Sequence, residues 1–450
     1  MITVEECRGI NGTYYKKTLS SASGYNCVTY IHYRTAIVKR NNNEYLLIYN
    51  TNMVLNSDAF EYVNRELIDK SVNTRIKANE ALKFLFSFEE MIGRNVHEFS
   101  SDDINTLKFF LHGYSPDGFE MSLKNFTLRN NATINGYLSV YRGYLTYLGH
   151  TSNPIFSMKN IPSQFFKKDS YKVAQRYSKN EKHTCSEEVP RYISVDEFTS
   201  ILSYVRENGS LRDELIIRLM YQCGLRIGEV LGLTADDVVN EKLPDGSYSK
   251  IAYIRNRLTD AKCQHAKSCM KIVSKEQYNT PEYNTKDDGY QFVILPDDLY
   301  DLINTYIEEE HSAIRENDTK AQRYYKNTIA DRTRPENNYE DDNYYIFVNS
   351  IGTPLSVGSW NDILRKIFSS VGISVDIQKK ENGLNHRFRH GFAMFNIQYL
   401  NVKEVELARL LRHRSVNSVL IYYRPTTSDK IKLKTEFANS LYEIIPSLKR

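Results

Sequence analysis

LLRHRSVNSVLIYYRP, residues 410–425, sets a histidine and two arginines ahead of two adjacent tyrosines. Tyrosine is an ordinary core residue, but a phenol held among cations can also act on an anionic group. Helical phase separates the pair. If residues 415–424 are helical, Val416, Val419, Leu420 and Tyr423 share one face by the three- and four-residue rule. Ser415, Ser418 and Tyr422 share another, roughly 100° away. The apolar set belongs against a core. Tyr423 is therefore expected to pack, and Tyr422 to face the basic groups.

Three upstream segments carry similar groups. In CGLRIGEVLGL, Arg226 follows the helix-stopping Gly224 and precedes a new helix. A guanidinium there adds charge and a donor fork to exposed backbone N–H groups, which suits a phosphate oxygen. Glu229, three residues on, can hold it in place. In YNTKDDGYQFVILP, Lys286 precedes the Asp287-Asp288-Gly289 turn and a β-like run into Pro296. Such a lysine is normally solvated, yet can reach into a groove and donate a proton. In LNHRFRHGFA, His386 and Arg389 share a helical face, with Phe388, Phe392 and Phe395 supplying the buried side. Two adjacent basic groups repel one another unless an anion lies between them.

The whole chain frames these segments without explaining them. At 450 residues two or three domains are expected. Apolar content of 41% with 25% charged residues fits a soluble globular protein, and +4 is too small a net charge to establish a polyanion partner. No apolar run has the length of a membrane span, and none of the opening residues reads as a signal peptide, so a cytoplasmic protein is expected. The six cysteines are scattered, as reduced thiols are. CQHAKSC, residues 263–269, lacks a second cluster at zinc-finger spacing and reads as a solvated loop, so no metal site is expected.

Residues 1–65 read as a small N-terminal element, with two β-rich runs in 27–50 around Asn41-Asn42-Asn43. From Asn73, Ala78, Ala81, Leu82, Leu85, Phe88 and Ile92 recur at helical steps, and a second stripe follows Thr133. Residues 70–155 are thus a helical domain. The linker, 156–190, carries Lys159, Lys167, Lys168, Lys172, Arg176, Lys179 and Lys182 against Asp169 and Glu181. Such a run is usually solvated surface, but between two domains it can strap a phosphate backbone. The last domain, 191–450, opens with a capping box at Ser194 and Glu197. Thr234 with Asp237 caps a further start, and 311–342 reads as an acidic insertion. The fold class is mainly α with a small antiparallel β-sheet (α+β).

Together the segments resemble the tyrosine recombinases, the phage-integrase family that includes integrases of bacterial mobile elements. GLRIGEVLGL matches the first arginine box, HRFRHGFA the His-x-x-Arg box, and LLRHRSVNSVLIYY the closing His–Tyr box, in the family's order. Tyr422 lies nine residues after His413, the family's usual separation. The likeness covers about residues 190–430 and, more loosely, 70–155, where TINGYLSVYRGYLTYL looks like core-binding helices of SAM-like type.

The resemblance implies site-specific strand exchange on double-stranded DNA recombination sites. Tyr422 attacks the scissile phosphate, and Arg226 and Arg389 bind its non-bridging oxygens. His386 accepts or relays the tyrosine proton, His413 hydrogen-bonds the phosphate, and Lys286, with Lys271 and Lys275 upstream as its alternatives, protonates the leaving 5′-oxygen. Glu229 supports, while Lys167, Lys168, Lys172 and Arg176 bind DNA. It further implies a homotetramer on DNA, an accessory DNA-bending or excision factor, and nucleoid association. Integration and excision of a mobile element is the expected role, with no cofactor and no metal. Its alternatives are type IB topoisomerase-like relaxation and an inactive DNA-binding regulator. The apolar stripe Leu433, Phe437, Leu441 and Ile444 is the candidate for a helix passed to a neighbouring protomer.

Overall fold

The computed structural model describes residues 2–10, 12–20, 26–40, 43–116, 121–162, 173–182, 189–242, 245–260, 264–317, 345–350, 353–375, 383–424 and 434–435. Lys167, Lys168, Lys172, Cys263, residues 318–342 of the acidic insertion and the four stripe residues Leu433, Phe437, Leu441 and Ile444 lie outside them. The chain divides into two compact units, Met1–Cys185 and Ser186–Arg450.

In the first unit, β1 (Ile2–Gly9), β2 (Gly12–Ser20) and β3 (Asn26–Ile31) form an antiparallel meander. β4 (Arg34–Arg40) and β5 (Asn43–Tyr49) make the hairpin around the asparagine run. The helices are α1 (Ser57–Glu61), α2 (Val72–Ile92), α3 (Ser101–His112) and α4 (Asn131–Tyr147). β6 (Met121–Lys124), between α3 and α4, adds to the meander parallel to β1. That pairing joins residues about 120 apart, which local pattern does not register.

Strands and helices here share one core. Val4, Tyr15, Ile31, Leu46 and Ile48 are buried with Leu82, Leu85, Phe88, Leu138 and Tyr141. Polar groups weld the seam. Asn64 exchanges 2.8 Å hydrogen bonds with both the N–H and the C=O of Leu46 on β5. Buried Arg75 donates to Asn64 Oδ1 at 2.7 Å and to the Val63 carbonyl at 3.0 Å. The donors of these two side chains thus meet acceptors, as burial demands.

Part of the expected linker is a hairpin of this unit, β7 (Met158–Pro162) with β8 (Val173–Tyr177). Arg176, on β8, donates to the Glu181 carbonyl, and Lys179 donates to the Ser101 carbonyl at 3.1 Å. These two cations are engaged within the unit.

The second unit begins with α5 (Val195–Asn208), capped as expected by Ser194 and Glu197, then α6 (Leu211–Gln222) and the short α7 (Ile227–Leu231). A three-stranded antiparallel sheet follows in the order β11–β10–β9, from β9 (Val238–Lys242), β10 (Tyr248–Arg255) and β11 (Tyr290–Ile294). α8 (Asp297–Asn317), α9 (Val357–Ser370), α10 (His386–Leu400) and α11 (Glu404–Leu410) complete it. The fold is mainly α with small antiparallel sheets. No helix among the described residues is long and apolar enough to cross a membrane.

The loop 264–270 differs from the solvated loop expected. Gln264, Ala266 and Cys269 are buried. The Asn256 amide donates to the carbonyls of Ala266, Cys269 and Met270 and accepts from the Ala266 N–H at 2.7 Å. One buried side chain thus serves as a backbone surrogate for a whole turn, a tertiary contact that composition does not reveal. Burial pushes the Cys269 thiol up to about 11, which disfavours the thiolate a metal needs.

Candidate functional site

Two glycines let the site assemble. Gly224, in the left-handed region at φ +60°, ends α6, and a Cβ there would meet the Phe392 ring at 2.7 Å. A Cβ on Gly391 would meet the Ile193 carbonyl and the Tyr221 ring, each at 2.5 Å. α10 therefore lies close against the end of α6, bringing Arg389 to the turn that carries Arg226.

Glu229 organises the arginines. Arg226 is the N-cap of α7 and Glu229 its third residue, so the carboxylate accepts from the Arg226 backbone N–H at 2.9 Å. Its Oε1 also takes the Arg226 guanidinium at 2.6 Å, and Oε2 takes Arg412 at 2.8 Å and lies 4.0 Å from Arg389. The Glu229 side chain is 0% exposed. Burial alone would raise its pKa, but Arg412, Arg389 and Arg226 together hold it at about 2.

The three arginines differ in access. Arg389 is 3% exposed and donates to the carbonyls of Gly224 and Leu411, tying α10 to the two turns beside it. Arg412 is 6% exposed, whereas Arg226 is 21% exposed and the most open of the three.

Arg412 has an unusual backbone. α11 ends in a Schellman turn, with Arg412 N–H donating to Arg409 at 2.9 Å and His413 N–H to Ala408 at 2.8 Å. Glycine favours that position, yet Arg412 occupies it at φ +53°. This turn brings His413 within the field of Arg389, Arg226 and Arg412. Burial, then those cations, push its imidazole down to about 4, so it is neutral at pH 7. Its Nδ1 is buried without a hydrogen-bond partner among the described residues.

The tyrosines depart from the helical-phase expectation. Residues 416–418 and 420–423 are 3₁₀ turns, in which positions three apart eclipse. Tyr422 thereby follows fully buried Val419 into a small core with Met394, Leu407 and Leu411, and is 5% exposed. Val416 and Leu420, expected inside, are exposed. The Tyr422 hydroxyl nevertheless meets the polar cluster, because His390 Nδ1 lies 2.7 Å away. Burial raises the phenol's pKa, and Arg389 and Arg226 oppose that rise. Tyr423 instead donates its hydroxyl to the Val402 carbonyl at 2.7 Å.

His386 stands at the exposed start of α10, its ring 5.9 Å from that of His390. Desolvation by the surrounding atoms, then Arg389 and Arg226, lower its pKa even though the residue as a whole is exposed. Arg226, Glu229, His386, Arg389, His413 and Tyr422 are thus one electrostatic cluster.

Lys286 is exposed at the entry to β11, with its ammonium 4.6 Å from the centre of the Phe292 ring. Lys267, an exposed residue of the loop 264–270, adds its charge to the field on His386, and the neighbouring Ser268 carbonyl accepts from Arg414 at 3.2 Å. Sequence reasoning gave no site role to Lys267, His390 or Arg412. Lys267 lies in the segment read as solvated, and the other two sit inside recognised boxes.

A buried carboxylate thus gathers guanidiniums beside imidazoles and a phenol, an arrangement whose cations suit an oxyanion. The model of the phage integrase family matches residues 191–429, and the chain belongs to that family. It is 24% identical to the tyrosine recombinase XerH of Campylobacter jejuni over 56% of this chain and 53% of that protein. It is 29% identical to transposase A from transposon Tn554 of Staphylococcus aureus over 38% of this chain and 47% of that one. The matched stretch thus spans about half the length of each relative. Among solved structures, the Tn1549 transposon integrase with a circular intermediate DNA is 13% identical, covering 84% of this chain and 98% of that one, at a TM-score of 0.49. XerH bound to its difH substrate is 16% identical over 83% of each chain, at 0.46.

Proposed function

We propose that the chain is a site-specific DNA recombinase that cuts and rejoins duplex DNA through a 3′-phosphotyrosyl intermediate at Tyr422. The observation that carries this reading is that Arg226 and Arg389 gather at the buried Glu229 carboxylate while Arg389 also bonds the Leu411 carbonyl, in the small core that holds Tyr422. Arg226, the most open arginine, and Arg389 bind the non-bridging oxygens of the scissile phosphate, where negative charge develops. Glu229 keeps the guanidiniums in place. His413 donates a hydrogen bond to the phosphate, His386 relays protons to solvent, and Lys286 protonates the leaving 5′-oxygen. Each step exchanges one phosphoester for another, so the chemistry needs neither ATP nor a metal.

The likeness to a transposon's transposase supports work on a mobile element, and the reading takes this as its integration and excision in the bacterial cytoplasm. Synapsis of two sites by a homotetramer, aided by an accessory DNA-bending factor, completes the reading. The 156–190 lysines strap the DNA backbone, so replacing Lys167, Lys168 and Lys172 with Ala should flatten the dependence of log K on log salt. An unchanged slope removes them from the interface.

The test of the reading uses a pool of nicked duplexes, randomised around the nick, from which covalently captured DNA is recovered. Wild-type protein should yield protein–DNA adducts and Tyr422→Phe none, at equal DNA affinity. Adducts that survive in Tyr422→Phe would place the nucleophile elsewhere.

A further inference from the structure

The family resemblance makes His386 the group that accepts or relays the tyrosine proton, but the side chain on the Tyr422 hydroxyl is His390. Its Nδ1 lies 2.7 Å from Oη, with the rings 5.5 Å apart. The contact crosses from α10 to the 420–423 turn. It joins residues 32 apart, so neither box contains it alone.

We infer that His390 is a catalytic residue, taking the proton from Tyr422 as the phenol attacks the phosphate. The inference rests on the reading of Tyr422 as the nucleophile. The groups facing His390 are His386 and Arg389 on its own helix and Tyr422 from the turn.

The protonation states fit. Burial, then His386 and Arg389, push His390 down to about 4, so the imidazole is neutral at pH 7. The Tyr422 phenol, with its pKa raised, keeps its proton. The pair is therefore a phenol and a neutral imidazole, with O–H donating to Nδ1 in the tautomer that carries its hydrogen on Nε2.

In the forward step, an Oη lone pair forms the bond to phosphorus while the Oη proton passes to His390 Nδ1. The bond from phosphorus to the 5′-oxygen breaks, and that oxygen leaves with its electron pair and takes a proton from Lys286. His390 is then an imidazolium beside Arg389, a repulsive pairing that favours passing a proton outward to His386. Rejoining reverses each transfer, and the imidazolium returns a proton to Oη as the phosphotyrosyl bond breaks.

The bond could also merely place the ring, and one substitution separates the two roles. In His390→Asn, Oδ1 lies near the former Nδ1 position and accepts the same hydrogen bond but takes up no proton at neutral pH. Single-turnover adduct formation on the captured nicked duplex is the readout, with DNA affinity and melting temperature measured alongside. His390→Asn should bind DNA as wild type does, yet form adduct about 100-fold more slowly, the scale of a lost general base. Its rate should climb roughly tenfold per pH unit between pH 6.5 and 9, as hydroxide replaces the imidazole, while wild type stays flat. His390→Ala should be slowed similarly and recover part of its rate in imidazole buffer.

Wild-type rate and a flat profile in His390→Asn would reduce the contact to positioning and overturn the inference. Faster cleavage in either variant would do so too, making the bond a restraint on the tyrosine. A pH-dependent rate appearing in His386→Ala and absent in His390→Asn would return the role to His386. Adduct formation by Tyr422→Phe would overturn the nucleophile assignment itself, whatever the His390 variants do.

Discussion

Arg412 and Glu229, 183 residues apart, form a 2.8 Å ion pair in which the carboxylate is fully buried. The arginine reaches it from a backbone position that glycine normally fills, so the pair opposes local strain with a tertiary contact.

Glu229→Gln leaves Arg226, Arg389 and Arg412 crowded without a counter-charge, and should cost roughly 3–5 kcal/mol at pH 7. The pH dependence has a definite sign. The folded-state pKa of about 2 lies below the ordinary 4.5, so the carboxylate's contribution is complete above 4.5 and is lost as pH falls towards 2. Urea unfolding of both proteins should show their stability gap narrowing across that window. A gap independent of pH would mean that Glu229 acts through packing.

Arg412→Gly tests which side of the balance prevails. Glycine relieves about 1–2 kcal/mol of left-handed strain, but removing one partner of a buried pair costs roughly 3–5 kcal/mol. The variant should therefore be less stable by about 1–4 kcal/mol, the difference between those two ranges. A higher melting temperature would show that strain dominates.

Tyr423→Phe removes the hydrogen bond to the Val402 carbonyl and no group near the arginines. It should cost about 1 kcal/mol of stability and still form covalent adduct on a nicked duplex. Loss of the adduct with folding intact would shift the nucleophile to Tyr423.

Lys286→Ala should bind DNA normally and cleave slowly, because a general acid acts on the leaving group. Replacing the 5′-bridging oxygen with sulfur, which needs little protonation to leave, should restore its cleavage. If cleavage stays slow, Lys286 is not the acid, and Lys267 is the next residue to replace, since its charge acts on His386.

Much of the local structure was legible in the sequence because its hydrogen bonds close within a few residues. The Ser194–Glu197 capping box, the stop at Gly224, the β4–β5 hairpin and the α2 stripe are of that kind. So were the boxes carrying Arg226, His386, Arg389 and His413, whose groups act on one another in the folded chain.

What the sequence could not decide depends on packing between distant segments. Helical phase sent Tyr422 outward, but the chain after Ser415 winds as 3₁₀ turns, and a period of three carries Tyr422 inward beside Val419. The burial of loop 264–270 around Asn256, the parallel pairing of β6 with β1, and the contacts of His390 and Arg412 arise in the same way. A residue's local sequence sets which backbone hydrogen bonds lie within reach. Which polar groups a buried side chain meets is set by the elements that close around it, and only the tertiary structure brings those together.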